Sequence, residues 1–262
     1  MNMGTLSLLW SLFKSNMMSA MEYRMNFVTE AGGMFLNDVV FVVFWIYFYA
    51  HYPVSIGFTV QDYMMLIAVA CVAIGLSRLV FGNTGKVAEW ISSGGVDTYL
   101  VWPKPVLLHF ICSRSAFHAV GDIFFGIILF FYARGLDFWG FILFITLCVL
   151  AGMVAHGFEL AAQSLAFWIG RAKSIADELR TSLVVFSTYP FDVYSGAIKM
   201  FLFTLIPAAF IAGLPVQLLA RFDSRAMLLM LAGAVFFEGL GFSLFYLGLR
   251  RYESGSAITV RV

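Results

Sequence analysis

Charge is what this sequence has least of. Only 12% of its 262 residues are Asp, Glu, Lys or Arg, and their formal sum is +1. A nucleic-acid binder needs clustered cations to meet phosphates, so that class is excluded. Proline is scarce at six residues, which leaves room for long helices. Cysteine is scarcer still: Cys71, Cys112 and Cys148 lie in apolar runs, with neither the spacing of a metal site nor the even count of a disulfide framework. No Ser/His/Asp, Cys/His or His-Glu-x-x-His arrangement occurs, and His51, His109, His118 and His156 are scattered. The usual hydrolase and metalloenzyme constellations are therefore missing. No fixed-period repeat is present, which removes solenoid architectures.

What remains is apolar. Hydrophobic residues make up 61% of the chain, 29 of them phenylalanine, and the mean hydropathy is +0.90. That is more apolar surface than a soluble core of this size can hide. The chain reads as an all-α integral membrane protein. A crossing helix needs about 20 apolar residues, and such spans fall near 30–51, 63–81, 115–133, 138–166 and 225–249. A sixth apolar region, 181–220, is broken by Tyr189-Pro190, Pro207 and Gly213-Leu214-Pro215. It is too long for one helix and too interrupted for two, which predicts one crossing plus a re-entrant excursion over 189–220. Before the first span, Leu6, Leu9, Trp10, Phe13, Met17 and Met21 recur at helical spacing opposite Ser7, Ser11, Lys14, Ser15 and Glu22. Residues 1–27 therefore suit a helix lying in the membrane interface, with a seventh, poorly apolar span as the alternative. Lys14 inside this stretch argues against a signal peptide. The chain is expected to be one membrane domain, 1–262.

Basic residues set the orientation, because cytoplasmic loops retain Lys and Arg. With six spans, all 16 except Arg134, Lys199, Arg221 and Arg225 fall on one side. Both termini are then cytoplasmic, in a plasma or inner membrane.

The longest polar interruption is the cytoplasmic loop 82–110, which opens GNTGKVAEWISSGGVDTYLVWPKP. Its Gly-x-x-Gly-Lys is not a nucleotide loop: Val80 stands where the first glycine is needed and Val87 where a serine or threonine is. Val87 to Ile91 can instead form a short helix presenting Lys86, Glu89 and Trp90, ended by Gly94-Gly95. Asp97 starts a second short piece, and Trp-Pro-Lys-Pro turns the chain back towards the membrane. Such pieces suit a surface that receives a push from another protein; an ordinary interfacial loop is the plainer alternative.

Ionisable residues inside the spans are costly, by about 2.5–3.5 kcal/mol each for Asp, Lys or Arg on insertion scales. Arg114, His118 and Asp122 fall at i, i+4, i+8 on span three; His156, Glu159 and Gln163 fall at i, i+3, i+7 on span four. The two stripes can meet, and Asp38 and Glu238 lie at comparable depth. This polar belt serves as a proton relay, a substrate path or a set of structural bonds between helices.

Together these features resemble the permease subunit of a type 2 ABC exporter. The similarity rests on the six spans, the amphipathic leading helix, the two basic loops, the stretch from Ile91 through Gly94, Asp97 and Leu100 to Pro103, and the close of span six at Gly248 to Gly255. It implies a non-catalytic half-transporter with no cofactor of its own. It would bind two ABC ATPase subunits, which hold ATP and Mg, and pair with a second permease, identical or homologous. Lys86, Val87, Glu89, Trp90, Ile91 and Asp97 would form the main coupling contact, and a second contact over 170–178 would include Arg171 and Lys173. Spans one and five would meet the other permease, and an amphipathic or lipid-like substrate would be exported. An ion- or proton-coupled carrier using the polar belt is the competing expectation, with an integral-membrane enzyme a third.

Overall fold

A computed structural model describes residues 3–51, 59–169, 172–189 and 194–252. Among them there are helices and turns and no strand. Helix α1 (Met3–Glu22) breaks for one residue at Tyr23 and continues as α2 (Arg24–His51), so span one begins before residue 27. The remaining long helices are α3 (Val60–Val80), α7 (Val120–Arg134), α8 (Phe138–Ser164) and α12 (Ser224–Leu249). With α2, and with α7 extended by the 3-10 turn Phe117–Ala119, these are the five helices long and apolar enough to cross a bilayer among the described residues. Their starts are well specified: Thr59 and Asp62 form a reciprocal capping box on α3, Asp137 caps α8 and Asp223 caps α12.

The sixth apolar region resolves into pieces. Helix α9 (Lys173–Ser187) runs along α8, and Tyr189 beyond it meets the Trp45 ring at 5.6 Å. Helix α10 (Gly196–Thr204) is bent by 83° against the segment 209–220, which holds one π-helical turn (Ala209–Gly213) and α11 (Leu214–Ala220). Pro207 at the bend cannot supply the amide a continuous helix would need there. The π turn is wholly buried, with Phe210 against Phe237 of α12 at 6.1 Å. Counted from the Asp223 cap, Phe237 is about 20 Å down the α12 axis at 1.5 Å per residue, so the excursion returns deep into the bundle.

Within hydrocarbon, lipid tails are as apolar as leucine, and helices associate through close packing of small residues. Helix α3 sits at the centre, wedged between α7 and α8. A Cβ on Gly126 would lie 2.7 Å from the Ala68 carbonyl oxygen, and one on Gly152 would lie 2.8 Å from that of Ala73. Helices α8 and α12 also cross closely: a Cβ on Gly157 would strike the backbone of Phe237, and one on Gly241 would lie 2.5 Å from the Gly157 oxygen. Helix α2 is different. It meets α7 closely at Ala31, whose backbone a Cβ on Gly121 would strike, but keeps Val28, Leu36, Val40, Phe44 and Tyr47 exposed, and Gly32 and Gly33 have nothing within reach of a Cβ.

Candidate functional site

The loop between α3 and α7 folds as a unit beneath the bundle. After a single 3-10 turn at Thr84–Lys86 come α4 (Val87–Ser92), α5 (Val96–Leu100) and α6 (Val106–Ile111). Gly94 at φ 76° makes the turn between α4 and α5, a conformation side chains resist. Asp97 lies in the first turn of α5, and Pro105 begins α6, so the expected punctuation holds.

Helix α4 is two-faced. Val87, Ala88, Trp90 and Ile91 are buried in a second apolar cluster with Leu160, Ala166, Phe110 and Phe245. The Trp90 indole lies flat on Phe110, with centroids 4.0 Å apart and planes at 6°, and is parallel to Phe245 at 6.4 Å. The Ala88 amide donates to Gln163 Oε1 at 3.0 Å, which satisfies one of the free amides at the start of a helix. The far end of α8 and the far end of α12 thus hold the apolar face of α4. Its other face presents Lys86 and Glu89 to solvent. Glu89 pairs with Lys173 Nζ at 2.6 Å, tying α4 to the start of α9. The ammonium holds the Glu89 carboxyl below the usual range, and the carboxylate raises Lys173. Arg171, expected in the same contact, lies outside the described residues.

This geometry, a short helix docked under the ends of two spans, is what the comparison with known proteins meets. The family described as ABC-2 family transporter protein matches residues 35–256, most of the chain. The chain belongs to that family. It is the permease subunit of a type 2 ABC transporter, a multi-pass membrane protein, and membership implies ABC ATPase partners. No curated protein and no solved structure matches it.

The polar residues of the permease are distributed differently from the expected belt. Residues 113–116 are not helical, because the Ala116 amide donates to the Arg78 oxygen at 3.1 Å and Asn83 Nδ2 donates to Ser113 Oγ at 2.6 Å. Arg114 therefore leaves the span-three stripe and points to solvent at the loop, and α7 proper begins only at Val120, two residues before Asp122. The span-four stripe is helical throughout, but its members take separate partners. His156 Nδ1 meets both Glu238 oxygens of α12 at 2.9 and 3.1 Å, and its ring stacks on Phe81 at 4.0 Å. Glu159 Oε1 approaches Arg180 of α9 at 3.7 Å and would lie 3.0 Å from a Cβ on Gly85. It sits at the coupling loop, which packs against both α8 and α9.

No hydrogen bond or ion pair joins the span-three and span-four stripes among the described residues. Arg78 is the cation whose charge acts on Asp38, Asp122 and Glu159 alike, with no ion pair to any of them among the described residues. Asp38 in turn accepts from the Cys71 thiol at 3.6 Å. Asp122 is buried, and its Oδ1 has no hydrogen-bond partner among the described residues. Arg78 and Arg180 lie outside the expected belt, whereas Gln163 is one of its members. The signal for Gln163 was its place at i+7 in the span-four stripe. Spacing gives Arg78 and Arg180 no place in either stripe, and their sign speaks only to orientation.

Proposed function

We propose that this permease conveys the movement of two separate ATPase subunits to its membrane helices through α4, and so exports an amphipathic or lipid-like substrate. It would do so paired with a second permease, in the plasma or inner membrane with both termini in the cytoplasm. ATP and Mg would be handled by the partners. The observation that carries this reading is the division of α4: one face is locked to α8 and α12 by Trp90, Ala88 and Gln163, while Lys86 and Glu89 face away. A load on the outer face would reach two spans without an intervening flexible joint. Lys173 and Arg180 extend the same load to α9, through Glu89 and Glu159.

The test is reconstitution with the ATPase in vesicles. ATP should drive transport without an ion gradient, and Lys86→Glu with Glu89→Lys should abolish transport while the permease remains folded. Intact transport by that double variant would overturn the reading. The orphaned Asp122 carboxyl favours a second reading, a proton- or ion-coupled carrier. In that case a gradient alone drives transport and Asp122→Asn abolishes it without loss of folded protein.

A further inference from the structure

Between the α1–α2 junction and the start of the coupling loop lies a cavity of about 520 Å³. Its size is that of a small-ligand pocket. Lys86, Arg114 and His118 bring basic groups to it, and Asn16, Asn26 and Glu30 line the opposite wall. The walls are held by hydrogen bonds across distant parts of the chain. Asn16 Nδ2 donates to the Cys112 oxygen at 3.3 Å and to Ser115 Oγ at 3.4 Å, and Asn83 fixes the segment behind Arg114. Glu30 already accepts from Asn26 Nδ2 at 2.8 Å. Neither Lys86 nor Arg114 has an ion-pair partner among the described residues. Leaving the histidine aside, two cations face one carboxylate, so the cavity favours an anion.

A second hollow adjoins the first. It has about 370 Å³, shares Ser115 with the cavity, and is walled by Leu9, Trp10, Phe13, Val80, Phe81 and Cys112. It runs along the apolar side of α1, with Trp10 exposed at its edge as tryptophans at a membrane interface are. The polar cavity lies level with the first turns of α2 and the apolar hollow along α1. A charged headgroup with an acyl chain beside it has that shape, and a soluble anion does not need the second hollow.

We infer that this pair of cavities binds one anionic phospholipid, its phosphate at Arg114 and Lys86 and an acyl chain against Phe13 and Phe81. Glu30 would accept a bond from a headgroup hydroxyl, which suits a glycerol headgroup. The site stands on the membrane placement of α1 and α2; it shares Lys86 with the proposed coupling surface, so Arg114, which lies outside that surface, is the residue that tests it. Because Lys86 lines the cavity and ends the turn that leads into α4, the lipid would brace that turn against α1.

The experiment is native mass spectrometry of the intact permease in detergent, titrated with dioleoyl phosphatidylglycerol, dioleoyl phosphatidylcholine, dihexanoyl phosphatidylglycerol or inorganic phosphate. One tight site for the long-chain anionic lipid is expected. Arg114→Gln should weaken it about fivefold to tenfold, the scale of one cation at a lipid surface. Arg134→Gln, at the opposite end of α7, should leave it unchanged. Equal affinity for the choline lipid, or indifference to Arg114→Gln, overturns the site. Inorganic phosphate or the short-chain lipid binding as tightly as the long-chain one overturns the lipid assignment.

Discussion

Gly157 does at one atom what most of the bundle does with whole side chains. Its missing Cβ lets the backbone of α8 meet that of α12, and the His156 to Glu238 pair closes beside it. Gly157→Val should overpack this crossing and destabilise the protein by about 1–3 kcal/mol or more. Gly239→Val serves as the control because nothing stands within 4 Å of its Cβ. Thermal unfolding in detergent should show a lowered midpoint for the first and little change for the second. The Glu89 to Lys173 pair works the other way. Both side chains are half exposed, so solvent screens the attraction and removal of Lys173 should hardly move the midpoint. The pair exists at neutral pH and is lost as pH falls through the lowered value of Glu89, because the carboxylate must then protonate.

At the scale of elements, α4 is too short to be stable alone and stands only because of what it packs against. Trp90 is the anchor, stacked on Phe110 and parallel to Phe245. Trp90→Ala should cost about 3–5 kcal/mol of local packing and free the loop. Trypsin should then cut after Lys86, while the Lys104-Pro105 bond resists it and the spans stay protected; an uncut Lys86 would show that α4 is held by something else. Much of this element was legible in the sequence. Gly94-Gly95 and Trp-Pro-Lys-Pro marked its ends, since backbone freedom and fixed φ are properties of single residues. Its partners were not legible, because a helix of six residues has no period long enough to say which face is buried. The span-three stripe failed for a related reason. Spacing by four assumes a helix, and the hydrogen bonds from Asn83 and Ala116 that unwind 113–116 come from residues a chain reading does not bring near.

For the whole molecule, five spans and the broken sixth region were legible because hydrocarbon imposes length and apolarity directly on the sequence. The redistribution of the polar belt was not. Charge at depth says that a partner is needed without saying which helix supplies it, and here Arg78 and Arg180 came from residues whose sign had been used only for orientation. The same scale shows what a single copy leaves open. Helix α2 carries a long apolar face with Gly32 and Gly33 bare upon it, and a second permease would cover that face. The central claim, however, concerns α4. A photoreactive amino acid at position 89, irradiated in native membranes and followed by mass spectrometry, tests it most directly. The account predicts an adduct with a protein that carries a complete phosphate loop, and none when the probe is moved to position 139 at the other end of the bundle. Adducts at position 89 with lipid alone, or the same ATPase captured equally from both positions, would contradict it.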